Sequence, residues 1–167
     1  MNLGVLNSWD DAEARAALQK CCGSSRWADQ MVARRPFASE ADLLAAADQV
    51  WQGLSRADWL EAFAAHPRIG DLDSLRRRYA GTASWAAGEQ AGVAGATEEV
   101  LQGLAQGNAD YEAKFGYKFI VCATGKTATD MLALLRQRLP NDPDHELRIA
   151  AGEQAKITRL RLHKLEP

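Results

Sequence analysis

Hydrophobic side chains recur along the chain at spacings of three and four residues, the pattern of helices with one buried face. The segment after Ser39 has its apolar positions at Leu43, Leu44, Ala47, Val50, Trp51 and Leu54. Ser39 offers a capping hydroxyl, and the acid Asp42 stands three residues later, an arrangement found at helix N-termini. The sequence therefore predicts a helix that begins directly after Ser39.

The same signals predict where other helices begin and end. Ser55 and Asp58 repeat the capping pair ahead of a second periodic segment. The helix that they begin should end at His66, because a residue before proline is pushed away from helical backbone angles. Further helices are expected over Asp10–Gln19 after Ser8, from Thr97 to the Phe115-Gly116 pair, from Thr127 to Leu139, and from Pro143 onward.

One short apolar run, from Phe119 to Ala123, lacks helical spacing and resembles a strand. No second run of this kind is available to pair with it, so we expect buried extended backbone or a helix turn. The sequence as a whole predicts an all-α fold of about seven or eight helices in a single domain over residues 1–167, a length that can bury one core.

Composition limits which binding partners and which cellular compartment we expect for the protein. The 20 Lys and Arg nearly balance the 22 Asp and Glu, so no large field attracts nucleic acid or an anionic membrane. No apolar window of about 18 residues occurs, and the first residues lack the pattern of an export signal. The odd number of cysteines, with Cys21 next to Cys22, favours a reducing setting. We expect a cytoplasmic protein without nucleic-acid or membrane partners.

The chain has three histidines, and one of them is a candidate for acid–base chemistry. His145 and His163 lie eighteen residues apart on one predicted helix, about 27 Å at 1.5 Å per residue, which argues against a multi-histidine metal site. His66 stands at a helix C-terminus, where free carbonyls favour the imidazolium, and Pro67 restrains it. It could donate a proton, although a capping or packing role predicts the same pattern.

Two further groups could contact a ligand. Glu89 and Gln90 together present an acceptor and an acceptor–donor pair that suit a ring rich in N–H and C=O groups, but a surface pair would look the same. Arg161 lies four residues after Ile157 and borders the apolar face, whereas Arg159 is turned by about 200°. Geometry therefore favours Arg161 for binding an anion, with a snorkelling surface arginine as the alternative.

Several motifs, taken in order, resemble the 2-oxo-4-hydroxy-4-carboxy-5-ureidoimidazoline (OHCU) decarboxylase family. They are Trp27, Arg35-Pro36-Phe37, His66-Pro67-Arg68-Ile69-Gly70-Asp71, Gly88-Glu89-Gln90, Lys114-Phe115-Gly116-Tyr117-Lys118-Phe119 and Lys156-Ile157-Thr158-Arg159-Leu160-Arg161-Leu162. The resemblance runs over nearly the whole chain. It implies an all-helical enzyme, usually a homodimer, that forms (S)-allantoin in urate breakdown without a metal or an organic cofactor.

The resemblance also implies roles for individual residues. His66 matches the catalytic histidine, Glu89 a second catalytic residue that binds substrate together with Gln90, and Arg161 the arginine of the Leu-Arg-Leu ending. The other implied substrate-binding positions are Pro67, Ala86, Ala87, Gly88, Phe119, Val121, Cys122 and Ala123. Some members carry a serine where this chain has Ala86, so a hydroxyl contact made there is lost or replaced.

Two other functions remain open from the sequence. A helical binding module could hold a ureide, a purine-like ligand or a protein partner without turning it over. Hydrolysis of 5-hydroxyisourate is a second enzymatic alternative, but its familiar form is a β-rich fold that ends in Tyr-Arg-Gly-Ser. This chain reads Leu165-Glu166-Pro167 at that point and predicts helices instead.

Overall fold

The computed structural model describes residues 1–67, 70–79 and 97–166, and its regular elements within these ranges are all helices. This confirms the predicted all-α fold. The helices are α1 Leu3–Ser8, α2 Asp11–Cys21, α3 Ser25–Ala33, α4 Glu40–Gln52, α5 Arg56–Ala64, α6 over 72–79, α7 Glu98–Phe115, α8 Ala128–Arg138 and α9 Pro143–His163. Within the described ranges, no helix is both long enough and apolar enough to cross a membrane.

Side-chain caps determine where several helices begin, as predicted. Four of the expected capping side chains accept a backbone N–H three residues later, at Ser39, Ser55, Thr97 and Thr127. At α5 and α8 the acids Asp58 and Asp130 return the bond to the cap residue and complete a capping box. Gly116 ends α7 with φ 84°, a left-handed angle that glycine adopts without a Cβ clash.

The described residues contain nine helices, and the extra ones are short. α1 has only six residues, too few for a hydrophobic repeat to emerge, and Asn2 caps it. The expected cap of the next helix at Ser8 is wrong, because Ser8 is the last residue of α1 and its hydroxyl donates to the Val5 carbonyl. Asp10 caps α2 instead and forms a capping box with Glu13.

One compact unit comprises residues 1–66 and 151–167. Its core contains the fully buried side chains of Trp27 and Phe63. Two tryptophan indole N–H groups donate hydrogen bonds to helix carbonyls. Trp27 donates to the Ala47 carbonyl at 3.1 Å, and Trp51 donates to the Ala151 carbonyl at 2.9 Å. Because these bonds cross between helices, they set the register of α3 on α4 and of α4 on the second half of α9.

The second unit comprises residues 67–150 and contains α7 packed on α8. The two helices approach closely at Gly107, where an added Cβ would lie 2.5 Å from Leu135 Cδ2. Residues 117–123 follow α7 and form neither helix nor strand, so the run from Phe119 to Ala123 is not the helix turn that was one of the two expectations. The prediction of a single domain over 1–167 stays a prediction.

Candidate active site

His66 lies just after the end of α5, as expected for a residue that precedes a proline, here Pro67. α5 ends at Ala64, Ala65 caps it, and the His66 N–H still reaches the Phe63 carbonyl at 3.3 Å. The predicted end of this helix is thus confirmed to within two residues. The His66 side chain is half-buried beside the unit 1 core, in a position where the protein can orient it and a ligand can reach it.

The His66 ring contacts a side chain that sequence reasoning did not single out. Its Nε2 lies 2.5 Å from the Oε1 of Gln154 on α9, and the Gln154 side chain is completely buried. The Gln154 Nε2 donates to the Thr158 Oγ1 at 3.1 Å, one helical turn further along. A buried amide therefore links the histidine to a buried hydroxyl.

The Thr158 hydroxyl also interacts with the buried thiol of Cys22. Burial raises the Cys22 pKa to about 11, although hydrogen bonds from the Ser24 backbone and from Thr158, together with the charge of Arg161, oppose this rise. Burial likewise raises the pKa of the Cys21 thiol to about 11. Both thiols are therefore protonated at neutral pH, and neither is suited to act as a nucleophile.

The two candidate arginines of α9 have different surroundings. Arg159 forms an ion pair with Asp48 on α4, with its Nη2 2.8 Å from the carboxylate. Arg161 is exposed, and its Nη1 lies 3.5 Å from the Lys20 carbonyl at the end of α2. It follows Gln154 by seven residues and shares its helix face, about 10 Å further along the axis. Arg161 is thus the arginine on the side of α9 that contacts His66.

In the second unit, side chains hold the backbone that sequence analysis assigned to substrate. The Arg138 guanidinium donates to the Ile120 carbonyl at 2.8 Å and lies 4.4 Å from the Phe119 ring centroid. Lys126 Nζ donates to the Cys122 carbonyl at 2.6 Å. These contacts fix two carbonyls of a segment that has no regular hydrogen-bond ladder of its own.

Arg138 is in turn held by a buried acid. Its Nη2 lies 2.6 Å from a carboxylate oxygen of Glu146, whose side chain is completely buried. The Tyr111 hydroxyl donates to the same carboxylate, and Asn141 Nδ2 donates at 3.2 Å. Burial, followed by the bond to Glu146, raises the Tyr111 pKa far above its ordinary value. This buried cluster holds Arg138 where it donates to the Ile120 carbonyl of the 119–123 segment.

The described site residues are divided between the two units. His66 and Arg161 belong to unit 1, whereas exposed Pro67 and residues 119–123, including Val121, Cys122 and Ala123, belong to unit 2. The predicted substrate residues Ala86, Ala87, Gly88, Glu89 and Gln90 lie outside the described residues. The substrate contacts assigned to all these residues stay predictions.

Sequence reasoning missed Gln154 and Thr158, although a signal for them exists. The buried positions on one stripe of α9 are Leu147, Ala150, Ala151, Gln154, Thr158 and Leu162. Two polar residues thus occupy helix positions whose spacing marks them as core. Because a buried amide needs partners, a glutamine in such a stripe indicates a polar contact with a neighbouring element.

Known proteins resemble this chain over nearly its whole length. A protein-family model described as OHCU decarboxylase matches residues 7–163. The uric acid degradation bifunctional protein TTL of Arabidopsis thaliana is 41% identical over 145 residues, which cover 87% of this chain and 45% of that protein. The 2-oxo-4-hydroxy-4-carboxy-5-ureidoimidazoline decarboxylase of Amia calva is 30% identical over 131 residues, which cover 78% of this chain and 74% of that protein.

Among solved structures, one described as OHCU decarboxylase in the presence of (S)-allantoin superimposes with a TM-score of 0.69. It is 38% identical in sequence, and the match covers 94% of this chain and 98% of that chain. That match covers nearly all of the solved chain, whereas this chain spans less than half of the Arabidopsis protein, for which the covered share is 45%.

Proposed function

Because the chain belongs to the OHCU decarboxylase family, we propose that it converts 2-oxo-4-hydroxy-4-carboxy-5-ureidoimidazoline into (S)-allantoin and CO₂. The observation that carries the proposal is the family match over residues 7–163, which includes His66 at the end of α5. The substrate is a small molecule of urate breakdown. The enzyme is then a carbon–carbon lyase.

The chemistry of this substrate needs little from a protein beyond orientation and proton transfer. Decarboxylation breaks the bond between the carboxylate carbon and the ring, and the electron pair moves into the adjacent C=N system. The ring thus acts as its own electron sink, so the proposal includes no cofactor. The imine nitrogen takes up a proton, the ring hydroxyl loses its proton as it becomes a carbonyl, and a proton added to the ring carbon that bears the ureido group completes the product. Adding that proton to one face makes a single enantiomer. The protein supplies binding, orientation and stabilisation of the developing charge.

The proposed roles follow from the chemical character of each side chain. His66 acts as the general acid and base, paired with the substrate hydroxyl, because its ring is held at a helix end by Gln154. Arg161 binds anionic or carbonyl oxygens, and Glu89 with Gln90 binds ureido and ring N–H groups. Backbone groups of Phe119–Ala123 bind the remaining ring edge, supported by Arg138.

The activity is tested by following the optical rotation of allantoin. Freshly made urate oxidase product is mixed with 5-hydroxyisourate hydrolase and then with this protein. Because the substrate also decays unaided to racemic product, we expect optical activity to appear only when this protein is added. Tight binding of substrate analogues with no gain in rate and no optical activity would contradict the proposal and favour the binding module.

The two arginines of α9 provide a matched test of substrate binding. Arg161→Gln is expected to lower kcat/KM about 10- to 100-fold, because a hydrogen bond to a charged group contributes about 1.5–3 kcal/mol. Arg159→Gln removes only a partly exposed ion pair with Asp48, 43% and 32% exposed, and is expected to stay close to wild type. Steady-state kinetics on both variants measure the difference. Equal losses, or a larger loss at Arg159, would contradict the assignment.

Two further proposals concern assembly and location. The family resemblance implies a homodimer, for which light scattering is expected to give twice the mass of one chain. The buried thiols of Cys21, Cys22 and Cys122, which form no disulfide, suit the reducing cytoplasm, where cell fractionation is expected to recover the protein. A monomer mass, or recovery in another compartment, would contradict the respective proposal.

A further inference from the structure

We propose that Gln154 is a positioning residue for His66, which holds the ring with Nε2 protonated and leaves Nδ1 as the nitrogen whose protonation changes during the reaction. The inference rests on the proposed function, since it concerns the same histidine. It gives a specific role to a glutamine that the sequence motifs left unexplained.

Gln154 occupies a position where a polar side chain needs hydrogen-bond partners. The side chain is completely buried on the core face of α9, where an unsatisfied amide would be costly. It has two polar contacts, to His66 Nε2 at 2.5 Å and to Thr158 Oγ1 at 3.1 Å. A leucine would fill this core position without that cost, so the amide is best explained by what it does for the histidine.

The Gln154 amide lies between the Thr158 hydroxyl and the His66 ring. A glutamine amide presents one acceptor and one donor, and here the donor nitrogen faces the Thr158 hydroxyl. A hydroxyl can accept this N–H through its lone pairs. The carbonyl oxygen Oε1 faces His66 Nε2 at 2.5 Å. In this orientation Thr158 anchors the donor end of the amide and leaves the acceptor end for the histidine.

The tautomer of His66 follows from that orientation. A carbonyl oxygen can only accept, so the ring nitrogen beside it must carry a hydrogen. In neutral imidazole a hydrogen on Nε2 places the lone pair on Nδ1, and protonation adds the second hydrogen there. The Nε2–H stays with Gln154 in both charge states. A buried partner of this kind fixes both the tautomer and the ring direction, as orienting groups do for histidines in other sites.

Nitrogen NMR of the labelled protein tests the tautomer directly. The three histidines are His66, His145 and His163, and the variants His145→Gln and His163→Gln identify the remaining signals as His66. At about pH 8, above the ordinary histidine pKa of about 6.5, His66 is expected to show a pyrrole-like Nε2 and a pyridine-like Nδ1. A pyridine-like Nε2 in the wild-type protein would overturn the inference.

Kinetics of Gln154→Met test the consequence. Methionine has a similar length but no strong acceptor, so kcat is expected to fall about 10- to 100-fold while KM changes little, and the His66 signals should become those of mixed tautomers. Gln154→Glu keeps an oxygen acceptor and is expected to retain the Nε2–H tautomer. Gln52→Met, at an exposed position of α4, is the control and should match wild type.

The outcomes separate this inference from the proposed function. If the wild-type protein forms no optically active allantoin, the proposed function fails, and the NMR of His66 still decides the tautomer. If wild type is active and Gln154→Met keeps its kcat and its His66 spectrum, the inference fails alone. Should Gln154→Met not fold, Thr158→Val removes the anchor of the amide and is expected to lower kcat and mix the tautomers in the same way.

Discussion

Replacing His66 with alanine is expected to lower the rate of allantoin formation by about 10²- to 10⁴-fold, the usual contribution of a general acid–base group. The remaining product should be racemic, because the unaided reaction protonates either face of the ring. His66 is half-buried at a helix end, so its loss should leave the helices intact. Chiral chromatography of the product, together with circular dichroism of the variant, measures both effects.

The matched control for this change is His145→Ala, which removes an exposed histidine near the start of α9. It should give optically pure product at the wild-type rate. Optically pure product at the wild-type rate from His66→Ala would show that the histidine is a packing residue, as the sequence alone allowed. Racemic product at the wild-type rate from His66→Ala would show that His66 directs the proton transfer but does not contribute to breaking the C–C bond.

The largest loss of stability is expected from Arg138→Met. Methionine fills much of the space of arginine, but it leaves the Glu146 carboxylate completely buried without its ion pair. Removing one partner of a buried ion pair costs about 3–5 kcal/mol of the free energy of unfolding. The change also removes the donor to the Ile120 carbonyl, which loosens the 119–123 segment. Urea unfolding followed by circular dichroism measures the loss.

Arg136→Met is the control for that prediction, because Arg136 is an exposed arginine on the same helix. Its effect is expected to stay within about 0.5 kcal/mol of wild type. The double variant Arg138→Met with Glu146→Leu should recover most of the loss, since it removes the unpaired charge as well. A single variant Arg138→Met within 1 kcal/mol of wild type would contradict the structural role of the pair.

Much of the fold could be predicted because its helix boundaries are encoded locally. Ser55 and Thr127 form caps with acids three residues later, and Gly116 and Pro143 occupy the positions that their backbone preferences dictate. α1 was missed because six residues are too few to show a period. α3 was missed because its buried residues Trp27, Ala28 and Met31 stand among polar ones in only nine positions.

The candidate site could be predicted only in part. His66 stood out because Pro67 marks a helix end in the sequence itself. Gln154 had a weaker signal, as a polar residue in an apolar stripe, and its partner lies 88 positions away. Arg138 and Glu146 looked like ordinary charges of amphipathic helices. Their burial depends on packing between elements that are distant in sequence, which local patterns do not encode.

The close approach of α7 and α8 at Gly107 also limits how this sequence can evolve. A Cβ at that position would lie 2.5 Å from Leu135 Cδ2, so the buried leucine side chain would have to shift to admit alanine. A smaller residue at position 135 would make room for a side chain at position 107. Substitutions at the two positions are therefore expected to depend on each other.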